Sequence, residues 1–123
     1  MGHRLHTAVV YKVEYGLHAS FNWAQEHINN IIETLAEGDI FCEGEDLDYA
    51  NTLQAHRGTL LANVDKIKTP DENWPNQEVL EEQIGNMLND ETCSIDRDYL
   101  YQQLKAHINS SDADCDYVHF AWF

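Results

Sequence analysis

Lysine and arginine are the residues this sequence has least room for. Seven of them stand against 22 acids, for a net charge of −15 at pH 7 over 123 residues. That deficit excludes free binding to nucleic acid or to an anionic membrane surface, because counterion release needs cationic side chains. Cysteine is sparse as well. Cys42, Cys93 and Cys115 form no C-x-x-C pair and no disulfide framework, so three reduced thiols in a cytoplasmic protein are expected. No apolar run approaches ~18 residues, so no membrane span is expected. The opening residues lead into a short apolar stretch broken by Lys12 and Glu14, so no secretory leader is expected there. Both prolines, Pro70 and Pro75, fall between Thr69 and Asn76 and mark that segment as a loop. There is no G-x-S-x-G, no phosphate-cradling glycine loop and no dinucleotide fingerprint, so neither an enzyme nor a cofactor is expected.

What remains suffices for one compact domain spanning residues 1–123. The hydrophobic share is 43%, and 3 Trp, 6 Tyr and 4 Phe are spread along the chain, which argues against disorder. Residues 5–15 alternate with period two and predict one long strand, ended by Gly16. Residues 20–37 switch to helical period, with Phe21, Ala24, Ile28, Ile31, Ile32 and Leu35 on one stripe, Ser20 or Asn22 as cap, and Gly38 at the C′ position. Ile40-Phe41-Cys42 suggests a short strand. Leu47, Ala50, Leu53, Arg57, Leu60, Leu61, Val64 and Ile67 follow helical spacing to about Lys68, with Gly58 as a weak point. Arg57 on that stripe calls for an acid partner. Helices are also predicted over 77–89, with Val79, Leu80, Ile84, Met87 and Leu88 inward, and over 97–109, capped by Asp96 and stapled by Ile95 and Leu100. The last segment, Tyr117 to Phe123, is apolar on both faces and reads as a central strand. The fold class is therefore α+β: a small antiparallel sheet formed by the N- and C-terminal strands, packed with about four helices.

The acids are unevenly placed. The first 36 residues carry net −1, leaving −14 to the rest. Six acids fall in 37–48, nine in 71–98 and three in 112–116. Some sit at helix N-termini, where each gains about 0.3–1 kcal/mol. The others lack the Lys at i+4 that a solvated helix normally supplies. Salt adaptation would coat the whole surface, whereas a patch suits a binding site. Glu78, Glu81 and Glu82 repeat at i, i+3 and i+4, about 5–6 Å apart at Cβ, near the phosphate spacing along a DNA strand. The expected function is a non-catalytic acidic inhibitor that occupies the basic, nucleic-acid-binding surface of a nuclease, toxin or defence complex, as a DNA mimic, anti-defence or immunity protein. Candidate partner-binding residues are Glu43, Glu45, Asp46, Asp48, Asp71, Glu72, Glu78, Glu81, Glu82, Asp90 and Glu91, with Trp74 as an aromatic anchor in the proline loop. The partner is a basic protein, with no direct nucleic acid and no membrane. In general charge character the chain is similar to phage-encoded inhibitors of host defence systems and to nuclease immunity proteins, although no motif carries that likeness.

Two other classes stand beside this one. The apolar C-terminal strand suits a structural or regulatory assembly protein that adds to another chain's sheet edge. A small metal-binding protein is the third, with Cys115, His119 and His107 as the ligand set. An extended strand separates Cys115 from His119 by about 13 Å, so chelation needs a folded-back loop. Asp112-x-Asp114-x-Asp116 opens like a calcium loop but has Tyr117 where Gly belongs and Phe123 where Glu belongs, and is rejected.

Overall fold

A computed structural model describes residues 5–8, 13–19, 25–42, 46–50, 52–91, 93, 95–111 and 113–122. Among the described residues, five strands make one antiparallel sheet: β1 (Leu5–Ala8), β2 (Val13–Ala19), β3 (Ile40–Cys42), β4 (Thr52–His56) and β5 (Tyr117–Trp122), in the order β2-β1-β5-β4-β3. Four helices among those residues accompany it: α1 (Gln25–Leu35), α2 (Arg57–Asn63), α3 (Gln77–Leu88) and α4 (Arg97–Ser110). The fold is α+β, with the two chain ends paired through β1 and β5.

Cross-strand register sorts the sheet residues onto two faces. Leu53, Ala55, Val118 and Phe120 are buried, and Ile40 and Cys42 pack beside them. The alternating positions Phe41, Thr52 and Gln54 are exposed, and Tyr117, His119 and Ala121 are half-buried. All helices therefore contribute to one side. Ile28, Ile31, Ile32 and Leu35 of α1, Leu80, Ile84 and Met87 of α3, and Leu100, Leu104 and Ile108 of α4 join the same core. Asp96 caps α4 by accepting from Tyr99 N at 2.8 Å, as its position before the apolar stripe predicts.

α1 ends where Glu37 and Gly38 turn to φ +55° and +81°. Glu37 N donates to Thr34 O at 3.1 Å and Gly38 N to Glu33 O at 3.0 Å, so Glu37 takes the left-handed C′ position and Gly38 stands one residue later than expected, at C″. The caps expected at Ser20 and Asn22, and the stripe positions Phe21 and Ala24, lie outside the described residues.

Several expectations need correction. The single strand over 5–15 is a hairpin: β1 stops at Ala8, and β2 returns through Gly16 with Ala8 opposite Val13. Val9-Val10-Tyr11-Lys12 holds no Gly, Pro, Asn or Asp to mark a reversal, so the alternation reads straight through it. The long helix over 47–68 is in fact a 3₁₀ turn at Leu47–Tyr49, strand β4, helix α2 and a second 3₁₀ turn at Val64–Ile67. Leu53 and Ala55 alternate inward because β4 is clamped between β3 and β5, a tertiary pairing that outweighs local spacing. Val79 and Leu88 are not inward but 47% exposed, on the flanks of α3.

Gly58 is not mid-helix. It follows the turn where His56 Nδ1 accepts from Thr59 N at 3.3 Å and caps α2. A Cβ at 58 would stand 3.3 Å from the His56 ring, so glycine leaves space for that cap. Among the described residues, Arg57 finds a hydroxyl where an acid was expected: its Nε donates to Ser111 Oγ at 3.1 Å. β5 is central, with β1 on one edge and β4 on the other. Strand addition to another chain would need a free edge there, and both edges are taken.

Candidate acidic interface

α1 and α3 pack side by side, and neither Gln25–Leu35 nor Gln77–Leu88 contains a lysine or arginine. Side-chain amides hold this region together instead. Gln25 Nε2 donates to Ala50 O at 2.9 Å. The buried Asn29 donates to Leu47 O at 2.9 Å and Ala50 O at 3.0 Å. Asn30 Nδ2 donates to Asp48 Oδ1 at 2.6 Å, and Thr34 Oγ1 donates to Gln83 Oε1 at 2.7 Å. A polar groove of about 230 Å³ runs between the two helices, lined by Glu26, His27, Asn30, Gln83 and Asn86.

The candidate acids divide by what they touch. Glu78 and Glu82 stand one helical turn apart on the exposed side of α3. Asp71 and Glu72 are exposed in the loop before α3, and Glu91 is exposed just beyond it. Glu26 on α1 joins this set; it lies outside the three acidic clusters of the sequence, and the absence of any cation over 25–35 is the signal that marks it. Like charges at i and i+4 oppose helix formation by about 0.2–0.5 kcal/mol. An acid near a helix C-terminus meets the negative end of the dipole. Glu82 and Glu91 are thus retained against local preference, whereas Glu78, in the first turn of α3, also meets the favourable positive end of the dipole.

Other candidates are already engaged inside the molecule. Glu81 is gripped by both terminal nitrogens of Arg97, with Nη1 to Oε1 at 3.2 Å, and also accepts from Gln77 Nε2 at 3.0 Å. Asp90 Oδ2 lies 2.9 Å from His27 Nε2, tying the end of α3 to α1. Asp46 accepts from Asp48 N at 3.1 Å and caps the 3₁₀ turn. The triplet Glu78, Glu81 and Glu82 is therefore a displayed pair with Glu81 turned aside. Glu43 and Glu45 lie outside the described residues.

Trp74 is not an exposed anchor. It is 8% exposed and belongs to the core, with Lys66 Nζ 4.9 Å above its ring. Its backbone N donates to Asp71 O at 3.0 Å, folding the proline loop inward. Two prolines fix that loop's backbone without fixing its side-chain directions, so the loop composition misplaces the indole.

A carboxylate shifted by its partners lies away from this face. Lys105 Nζ and Tyr101 Oη both donate to Asp65 Oδ1, at 2.9 and 2.8 Å. The Lys105 bond, then the Tyr101 bond, hold the Asp65 carboxyl below its ordinary range. The same bond to Asp65, with a second that Lys105 Nζ donates to Tyr101 Oη at 3.0 Å, pushes Lys105 up to about 12.

Among the described residues, no group of three His, Cys, Asp or Glu side chains is placed to hold a metal ion. Among them, too, no helix is long and apolar enough to cross a membrane. Comparison of the chain with protein-family models, with curated proteins and with solved structures finds no match.

Proposed function

We propose that this chain is a non-catalytic binding protein whose α1–α3 face occupies a basic, nucleic-acid-binding surface of another protein. The observation that carries the reading is the cation-free pair of helices displaying Glu26, Glu78 and Glu82. A face that only needed solvation would place Lys or Arg at i+4 from these acids. Asp71 and Glu72 extend the negative field to the start of α3, and Glu91 extends it past the end. Such a field steers a cationic partner and makes association fast and salt-sensitive. The target class is a nuclease, toxin or defence complex whose nucleic-acid site the acids would fill. The three described cysteines are free thiols, which suits a reducing cytoplasm, that of a host cell if the protein is phage-encoded.

The test is capture from lysate of the source cell, using wild type and Glu78→Lys/Glu82→Lys. Both substituted positions are exposed, so the variant keeps its fold. The expected partner is a nucleic-acid-binding protein held at low salt, released by high salt or competing duplex DNA, and lost with the reversed variant. A partner held equally by both proteins, and indifferent to salt and DNA, would overturn the reading.

A further inference from the structure

The second face of the sheet carries chemistry that the acidic helices do not. Phe41, on edge strand β3, is 60% exposed. Its ring lies 5.8 Å from that of Tyr117 at 63°, and Tyr117 lies 5.8 Å from the His56 ring at 90°. These edge-on contacts leave an aromatic face of Phe41 unstacked. Beside it a trough of about 380 Å³ is lined by Phe41, Thr52, Gln54, His119 and Ala121, among others. Its volume lies at the small end of ligand-binding clefts, which run to about 300–1,000 Å³. The pairings Phe41↔Gln54↔His119 and Thr52↔Ala121 put these side chains in two adjacent rows, with the small residues in the second.

Charge selects the occupant. Asp39 precedes β3 and Asp116 precedes β5, and the antiparallel register brings both exposed residues to the end where His56 pairs with Tyr117. Arg57, at that end, is directed to Ser111. The described strands of this sheet contain no lysine or arginine. An aromatic sheet face can stack nucleic-acid bases, but phosphates would meet these acids and a net charge of −15. A second copy would bring the same −15. We infer that this face binds arginine side chains of a protein partner, with a guanidinium stacked on Phe41 and its methylenes in the trough. Guanidinium is planar, weakly hydrated and stacks on aromatic rings, whereas an ammonium is a compact, strongly hydrated charge. The inference rests on the partner being basic, and adds that it presents arginine to the sheet.

The probes are three peptides of equal length alternating alanine with arginine, lysine or citrulline, titrated into the full chain. Backbone amide NMR shifts locate each one. The arginine peptide should move the amides of Phe41, Gln54 and His119 most, and the neutral citrulline peptide should leave them in place. Phe41→Leu keeps an apolar side chain but removes the ring. It should weaken the arginine peptide about threefold and the lysine peptide less. Glu78→Lys/Glu82→Lys should weaken both cationic peptides alike without moving the sheet shifts elsewhere. Shifts confined to α1 and α3, or equal loss of both peptides in Phe41→Leu, would overturn the sheet site and leave the acidic-face reading standing. Intact sheet binding together with unaltered capture by the reversed variant would do the opposite. Absence of any shift with the arginine peptide would also overturn the sheet site.

Discussion

The two flanks of the helical layer are fastened by different chemistry. Around α4, cations do the fastening: Arg97 grips Glu81, Lys105 holds Asp65, and Lys68 lies over the Tyr101 ring at 5.5 Å. Around α1 the fastening is mainly by amides: Gln25, Asn29 and Asn30 reach the segment at 46–50, and Gln83 meets Thr34, with the His27–Asp90 contact beside them. Amide contacts need no cation and titrate over no ordinary pH. A chain short of lysine can therefore fix α1 and α3 while leaving Glu26, Glu78 and Glu82 displayed. The lesson is that an acidic surface here is not a failure of pairing. The scarce cations are used where they tie elements together and kept away from the displayed face.

The largest test of this contrast is Asn29→Asp. A carboxylate would face the carbonyls of Leu47 and Ala50 at a fully buried position. Stability should fall by about 3 kcal/mol or more, read from the urea midpoint. A loss under about 1 kcal/mol would break the claim that amides fix this flank. Next is Arg97→Met, which removes the contacts to Glu81 and to Ile67 O. Both partners are about a third exposed, so the expected loss is about 1 kcal/mol, shrinking at high salt. The Asn29 effect should not shrink, and equal salt dependence of the two would erase the distinction. Glu91→Gln should raise stability by about 0.3 kcal/mol at low salt, by relieving the C-terminal end of α3.

The smallest effect is the coupling between Asp65 and Lys105 in a double-mutant cycle across pH. Asp65 is held below its ordinary value, so its stabilisation is present above the unfolded carboxylate range and fades as pH falls through the folded value. Lys105 is raised from 10.5 to about 12, so its stabilisation is complete below 10.5 and is lost as pH rises through about 12. The coupling should therefore be flat across the neutral range and vanish at both extremes. A coupling that changed between pH 6 and 8 would place its origin in another group.

Much of the architecture was legible because strong periodicity met clear punctuation. Helices α3 and α4 lie between the proline loop, the Asp96 cap and the polar loop after Ser110. The aromatic segment at 117–122 reads as a central strand, and β5 is paired on both edges. Where legibility failed, the signal was ambiguous or non-local. Leu47, Ala50 and Leu53 fit helical spacing as well as Leu53 and Ala55 fit a strand, and only pairing with β5 decides between them. The displayed acids Glu78 and Glu82 were visible as a cation-free stretch. The capture of Glu81 by Arg97 was not, because sixteen residues and a turn separate the two. Phe41 escaped notice because exposure of an aromatic in a three-residue strand depends on which sheet face the helices cover.

The position of β5 has a consequence for how the molecule comes together. The hairpin β1–β2 and the hairpin β3–β4 touch in the sheet only through β5, which follows every other element in the chain. Neither hairpin can recruit the other directly, so the sheet closes like a clasp whose tongue arrives last. Closing it joins residues more than a hundred positions apart, such as Leu5 and Trp122, and long-range pairing of that kind slows folding. It also makes the polar loop between α4 and β5 a natural point of division: a fragment ending before residue 112, supplied with the β5 segment as a separate peptide, should regain the sheet by complementation.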